Sequence, residues 1–337
     1  MRELIEWFKV HKRDFPWRKD PTPYKVWVSE VMLQQTRASV VIAYFEKWMQ
    51  LFPDVKTLAR ASLDEVIKAW EGLGYYSRAR NLHQGAKQIV EQFNGQIPSS
   101  REELMTIRGL GPYTIGAILS FGFKKRSVAV DGNVTRVLSR YFCIEENVCK
   151  QAVKKKIAQG AEAILDPDEP WVTMEALIEL GATICTPKVR CEMCPLQKNC
   201  LGKEKAHLLP IKNEEKKITH LKRAVIWLEI DGKVLIKKEE AGKVMAGLYQ
   251  FPYFEMDEIW GGGKIIREIF LAFNIEVQMI EKLPIVVHTF TRFKAYLYPI
   301  RFQCSTLKLI EGYEWVERSE LFKFPFSSGH RRILLKT

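Results

Sequence analysis

Two acidic residues and four cysteines stand in contexts that can do chemistry. Glu30 lies in Val26-Trp27-Val28-Ser29-Glu30-Val31-Met32-Leu33, a stretch that reads as helix with apolar neighbours on several sides. A carboxyl group there is partly desolvated, which raises its pKa and lets it keep a proton near neutral pH, as a general acid must. The same pattern also fits a surface glutamate on an amphipathic helix. Asp131 follows the apolar run Ser127 to Val130 and opens a predicted helix through Asn133, Arg136 and Leu138. Its plain role is an N-cap, accepting a backbone N–H at the helix start. A capping carboxylate stays ionised, so it can also face a developing cation. Cys185, Cys191, Cys194 and Cys200 form a short loop with two residues between the central pair. That spacing lets several thiolates converge on one metal centre. Cys143, Cys149 and Cys304 are scattered, which suits a reducing compartment and a metal site better than disulfides.

The stretch from Leu104 to Arg136 must position much of this. Glu102 to Ile107 is helical by composition, Gly109 and Gly111 bracket Leu110, and Pro112 suits a first helical position. Without side chains at Gly109 and Gly111, backbone N–H groups can come close to a phosphodiester, and the following helix adds the positive end of its dipole. Such a grip is blind to base sequence.

From Met1 to about Leu201 the pattern is helical nearly throughout, broken at Phe52-Pro53, Gly72, Asn94-Gly95, Pro98 and Pro167 to Pro170. Residues 202–222 are rich in Lys and Glu and read as a linker. Residues 223–337 alternate β-type runs (Ala224 to Ile230, Lys233 to Lys237, Ile285 to Phe290, Phe293 to Phe302) with a helix from Lys264 to Phe273, an α+β domain. At 337 residues, with 47% hydrophobic and 27% charged residues, two or more globular domains are expected. No apolar run is long enough to span a bilayer, and Met1 to Lys9 is amphipathic rather than a signal peptide. The default expectation is a cytoplasmic protein, nucleoid-associated in a bacterium. A net charge of +12 favours a polyanionic partner.

Four strings carry a family resemblance: TPYKVWVSEVMLQQT from Thr22, GLGYYSRARNL from Gly72, GLGPYT from Gly109 and VDGNVTRVL from Val130. They resemble the helix-hairpin-helix DNA glycosylases related to endonuclease III, and among these the MutY adenine glycosylases. The resemblance covers nearly the whole chain and is strongest up to Cys200. It implies two domains: an all-α helix-hairpin-helix glycosylase domain with an iron–sulfur loop (1–201), then an α+β Nudix (MutT-like) domain. It also implies a function in base excision repair, hydrolysis of the N-glycosidic bond of adenine mispaired with 8-oxoguanine or guanine. Glu30 falls on the catalytic glutamate, which protonates the imidazole ring of the leaving base. Asp131 would stabilise the oxocarbenium-like sugar or trap it briefly, with Asn133 orienting it. Bifunctional relatives carry a Schiff-base lysine where this chain has Tyr113, so a monofunctional enzyme is expected.

By the same resemblance Arg13, Trp17, Arg18, Leu33 and Glu175 line the adenine pocket, and Gln35, Thr36, Leu73 and Tyr75 wedge or contact the opposite base. Each also has an ordinary reading as core or solvated helix. The cysteines imply a [4Fe–4S] cluster with a structural and DNA-docking role. The family usually has six residues between the first two cysteines and Cys185 and Cys191 enclose five, so zinc stays as a minor alternative. In the C-terminal domain Gly247 to Pro252 is the clearest Nudix remnant. Its helix carries a single acid, Glu268, so no pyrophosphohydrolase activity is expected. The family's Phe-Ser-His lesion-reading loop corresponds to Phe290, Thr291 and Arg292, which otherwise read as a hairpin tip. The implied partner is double-stranded DNA containing a mispaired adenine, bound by a monomer with no membrane association, with downstream repair proteins following. Two rivals remain: a mismatch glycosylase with another target or opposing base, and a catalytically silent lesion-binding protein.

Overall fold

Side-chain caps and prolines set the helix starts in the first half of the chain. Thr22 accepts the Lys25 N–H to open the Pro23–Leu33 helix, Asp54 opens Val55–Arg60, and Ser100 opens Arg101–Thr106. The computed structural model describes residues 1–213, 218–240, 242–243, 245–290 and 292–337. Two compact units result, 1–61 with 80–214 and 62–79 with 215–337.

The first unit is helical among its described residues and is built around the Pro23–Leu33 helix. Tyr24, Val26 to Met32 and therefore Glu30 are all buried, because this helix is apolar on nearly every side and can only be satisfied inside the core. Two glycines set how close its neighbours come. A Cβ on Gly116 would lie 1.9 Å from the Val128 carbonyl oxygen, so the Ser127 to Val130 run lies directly on the Pro112–Ala117 helix. That contact delivers Asp131 to the side carrying Tyr113. A Cβ on Gly181 would lie 2.7 Å from Asn133 Cβ, which seats the Pro170–Thr183 helix on the start of the Gly132–Tyr141 helix. The Pro112–Ala117 helix continues into a π turn, Ile118–Gly122, a feature often found near functional sites.

The second unit is a sheet with strands β1 (Thr219–Ile230), β2 (Lys233–Lys238), β3 (Tyr249–Gln250), β4 (Tyr253–Met256), β5 (Val277–Lys282), β6 (Val286–Phe290), β7 (Phe293–Cys304) and β8 (Glu314–Glu317). β1 and β7 form a long parallel pair from Thr219–Phe293 to Glu229–Gln303. β2 and β4 share the other edge of β1, and β5 and β6 the other edge of β7. Alternation along β1 splits the core by face. Ala224, Ile226 and Leu228 pack with Ile265, Ile269 and Phe273 of the Gly262–Phe273 helix. Val225 and Trp227 pack with Phe251, Phe326, Ile333 and Leu334 on the side of the Ser328–Leu334 helix.

Ser62–Ala79 groups with this sheet, although a cut along the sequence at residue 201 places it with the helical half. The reason lies in ion pairs too long-range to read from sequence: Asp64 with Lys238, and Glu71 with Arg331 at 2.5 Å. Residues 214–217 of the expected linker lie outside the described residues. The stretch before them is tied down, since Leu201 and Gly202 donate to the carbonyls of Tyr141 and Arg140, and Val148 donates to that of Ile211.

Candidate active site

One cavity of about 1640 Å³ in the helical unit gathers both acids. Glu30, Tyr113, Asp131 and Asn133 line it, together with Arg13, Trp17, Arg18, Leu33, Gln35, Thr36 and Glu175. Glu30 is 8% exposed, and the Tyr113 hydroxyl donates to its Oε2 at 2.5 Å. Burial pushes the Glu30 carboxyl up to about 7; the tyrosine hydrogen bond and Arg18 pull it down, and Asp131 and Glu175 add to the rise. Tyr113 is itself held well above the usual phenol range, first by burial and then by Glu30. The Tyr113 proton therefore stays on the phenol, and the group acts as a donor.

Asp131 does cap its helix. Its Oδ1 accepts the Val134 N–H at 2.7 Å, and its Oδ2 accepts from Asn133 Nδ2 at 2.8 Å. Burial lifts its pKa, and those two hydrogen bonds work against the rise. Asn133 Oδ1 in turn accepts from Arg136 Nη2 at 2.8 Å, and Arg136 Nε donates to the Cys185 carbonyl at 2.7 Å. A continuous hydrogen-bonded chain thus runs from the aspartate to the first cysteine of the loop. Arg136 was not singled out as a site residue in the sequence, where it reads only as part of a helix.

Trp17 is buried, stacked on Phe15 with centroids 4.7 Å apart and edge-on to Phe45. Sequence reasoning missed Glu179. It is fully buried on the same helix as Glu175 and one turn away, and it accepts from both Arg13 and Arg18. Two acids four residues apart on an otherwise apolar helix were the available signal.

Gly109 has φ +85°, and a Cβ there would meet Asn81 Cβ at 2.6 Å; a Cβ on Gly111 would meet nothing within 4 Å. The first glycine is thus needed by the turn, and the second leaves open space for a close ligand. Gln35 and Tyr75 both sit in the left-handed region, at φ 58° and 50°, where non-glycine residues are rare and cluster at working sites. Tyr75 and the buried Leu73 belong to the second unit, among residues 62–79. There Arg78 donates to the carbonyls of Leu73 and Gly74 and stacks on Trp70 and Tyr75. Phe290 pairs with Phe293 at the end of the β6–β7 hairpin, and Arg292 lies over the Phe293 ring. Thr291 lies outside the described residues.

The four loop cysteines line one small cavity. Arg140, itself buried, donates to Cys185 Sγ at 3.3 Å and to the carbonyls of Thr186 and Leu209. Burial raises the thiols of Cys191, Cys194 and Cys200, that of Cys194 to about 11, so a cationic partner is needed to hold these three as thiolates. Among the described residues no group of three or more His, Cys, Asp or Glu is arranged to hold a single metal ion.

Comparisons with known proteins agree with this architecture. Residues 28–163 match the HhH-GPD superfamily of base excision DNA repair proteins, and residues 223–336 match the NUDIX domain. Adenine DNA glycosylase of Rattus norvegicus is 44% identical over 59% of this chain and 40% of its own length. The Homo sapiens enzyme is 42% identical over 60% of this chain and 39% of its own length, so the chain spans about two fifths of these mammalian relatives. Adenine DNA glycosylase of Buchnera aphidicola subsp. Schizaphis graminum is 32% identical over 90% of this chain and 88% of its own length. Among solved structures, a thermostable thymine-DNA glycosylase overlays 60% of this chain and 94% of its own, with a TM-score of 0.56 and 27% identity. A non-covalent endonuclease III–DNA complex, at 22% identity and a TM-score of 0.52, shares the fold. With a bacterial relative matched along nearly its whole length and with both domain families in order, the chain belongs to the adenine DNA glycosylase family.

Proposed function

We propose that this protein is a monofunctional DNA glycosylase that releases adenine from a duplex in which it is mispaired with guanine or 8-oxoguanine. The observation that supports this most is the pairing on one cavity of a buried carboxyl near pKa 7, Glu30, with a second acid, Asp131, held by the Val134 N–H and Asn133. Two carboxyl groups facing one cavity, one of them able to keep its proton near neutral pH, are what acid-assisted cleavage of a glycosidic bond needs. An adenine turned out of the stack enters the cavity. Glu30 delivers its proton to the imidazole ring as the bond lengthens, with Tyr113 holding the carboxyl in place. Asp131, fixed by Val134 and Asn133, faces the cationic sugar until water adds. Tyr113 is a phenol and forms no Schiff base, so the product is an intact abasic strand. In the first unit Gln35 and Thr36 act at the opposite base and Gly109 and Gly111 hold the backbone; in the second, Leu73 and Tyr75 take the role of contacting the opposite base and Phe290, Thr291 and Arg292 that of reading it.

Cys185, Cys191, Cys194 and Cys200 would hold a [4Fe–4S] cluster, each on a different iron. Four cysteines lining one small cavity suit this cluster, with tetrahedral zinc as the minor alternative. Bound there, a cluster would staple the loop and serve a structural and DNA-docking role. The protein purified without oxygen should contain iron and sulfide in equal amounts; zinc alone would overturn this assignment.

The functional test is single-turnover incubation with duplexes pairing adenine with 8-oxoguanine, guanine or thymine. Strand scission after alkali is expected for the first two pairings, with none before alkali. No cleavage in any pairing defeats the proposal. Thr291 and Arg292 stand where the family has Ser and His, so cleavage confined to another opposing base would favour a glycosylase of altered pairing.

A further inference from the structure

Glu179 is the most deeply buried charge beside the site, and both of its oxygens are taken. Oε1 accepts from Arg13 Nε at 2.5 Å and Oε2 from Arg18 Nη2 at 2.9 Å. Each oxygen is thus already committed to an arginine. The two guanidiniums are further fixed by stacking over Phe15, at 5.0 and 5.2 Å, and Arg18 donates to the Arg13 carbonyl. Arg18 Nε also lies 3.4 Å from Glu175 Oε1. Two arginines and two glutamates thus form a charge-neutral group on the wall of the cavity that contains Glu30. We propose that Glu179 is a positioning residue that holds Arg13 and Arg18 in the cavity wall and cancels their charge beside Glu30.

The charged and titratable groups that line the cavity with Glu30 are Arg13 and Arg18 from the N-terminal segment, Arg37, Arg101, Lys154 and Lys155, Tyr113 from the Pro112–Ala117 helix, Asp131 at the start of Gly132–Tyr141, and Glu175 with Glu179 on Pro170–Thr183; of these Tyr113, Asp131, Glu175 and Arg18 act on the Glu30 carboxyl. Arg18 already draws Glu30 toward its ionised form. Removing Glu179 leaves the two guanidiniums against one carboxylate, so this part of the cavity wall gains one unit of positive charge. A nearby cation favours carboxylate over carboxyl, which would make Glu30 give up its proton at lower pH. The alkaline limb of the rate profile would move down with it.

This inference rests on the reading of Glu30 as the proton donor, so its test has a readout that does not need catalysis. The infrared carboxyl band that is present in the wild type and missing in Glu30→Gln reports the Glu30 proton directly. In Glu179→Gln that band should titrate about one pH unit lower than in the wild type, and adenine release should fall roughly tenfold at alkaline pH and little at acid pH. Glu179→Asp keeps the charge and should restore both. The double variant Arg18→Gln/Glu179→Gln restores neutrality and avoids an unpaired buried cation, so it stays informative if the single variant fails to fold. Its band should titrate near the wild-type position. A band that does not move in Glu179→Gln, or one displaced equally in the neutral double variant, overturns the proposal. If the wild type releases no adenine, the functional reading fails, and the band still decides the role of Glu179.

Discussion

Glu30→Gln should lower the single-turnover rate of adenine release by about 10²–10⁴-fold, the usual yield of a positioned general acid. Gln is close in shape and its amide oxygen can still accept the Tyr113 hydroxyl, so the loss would be chemical, with duplex affinity little changed. The same substitution should stabilise the protein in a pH-dependent way. Glu30 has its pKa raised in the folded state from 4.5 to about 7. The folded state therefore binds this proton more tightly than the unfolded chain. Its favourable contribution is complete below about pH 4.5 and is lost as pH rises through about 7. Gln carries no such dependence. The stability difference between variant and wild type should grow from near zero at pH 4 to roughly 3 kcal/mol above pH 7. Melting curves of both proteins across that range provide the check, and a difference independent of pH would contradict the buried, protonated Glu30.

Asp131→Asn should be as damaging to the rate, about 10²–10⁴-fold, because it removes the charge proposed to face the cationic sugar. Here shape alone does not rescue the fold. Asn at 131 can keep Oδ1 on the Val134 N–H, but its NH₂ then points at the NH₂ of Asn133. Asn133 cannot turn over without withdrawing its Oδ1 from Arg136. Two donors are left facing each other, at a cost of about 1–3 kcal/mol. The expected result is thus a slow variant with a lower melting temperature, unlike Glu30→Gln. In the wild type the rate should fall on the acid side as Asp131 takes up a proton, at a pH above the ordinary aspartate range, and on the alkaline side as Glu30 loses its own near pH 7. Near-wild-type activity of Asp131→Asn across that bell would remove Asp131 from the chemistry.

The apolar neighbours Trp27, Val28, Val31 and Met32 made burial of Glu30 one reading of the sequence, a surface glutamate fitted the same pattern, and the family resemblance decided between them. Asp131 was legible as a cap for a local reason. The long strands and the Gly262–Phe273 helix also announce themselves, the helix through buried Ile265, Ile269 and Phe273 at four-residue spacing. β3 is two residues long, and β5 exposes almost every side chain, so neither has an alternation to detect. Glu179 was missed because its meaning resides in Arg13 and Arg18, more than 150 positions away. The grouping of Ser62–Ala79 with the sheet escaped for the same reason, because a capping box and an amphipathic turn say where a helix starts and nothing about its distant partners.

The parallel β1–β7 ladder has a consequence for biosynthesis. Its two members are separated by about 70 residues of chain, so the first emerges from the ribosome several seconds before the second exists. During that interval β1 exposes Val225, Ile226, Trp227 and Leu228; β2 and β4 can cover one of its hydrogen-bonding edges, but the edge that waits for β7 stays unanswered, a hazard for aggregation. Frameshifts that truncate translation before Phe293 would leave that edge open for good and send the product to proteolysis, even with every residue of the adenine-releasing cavity intact.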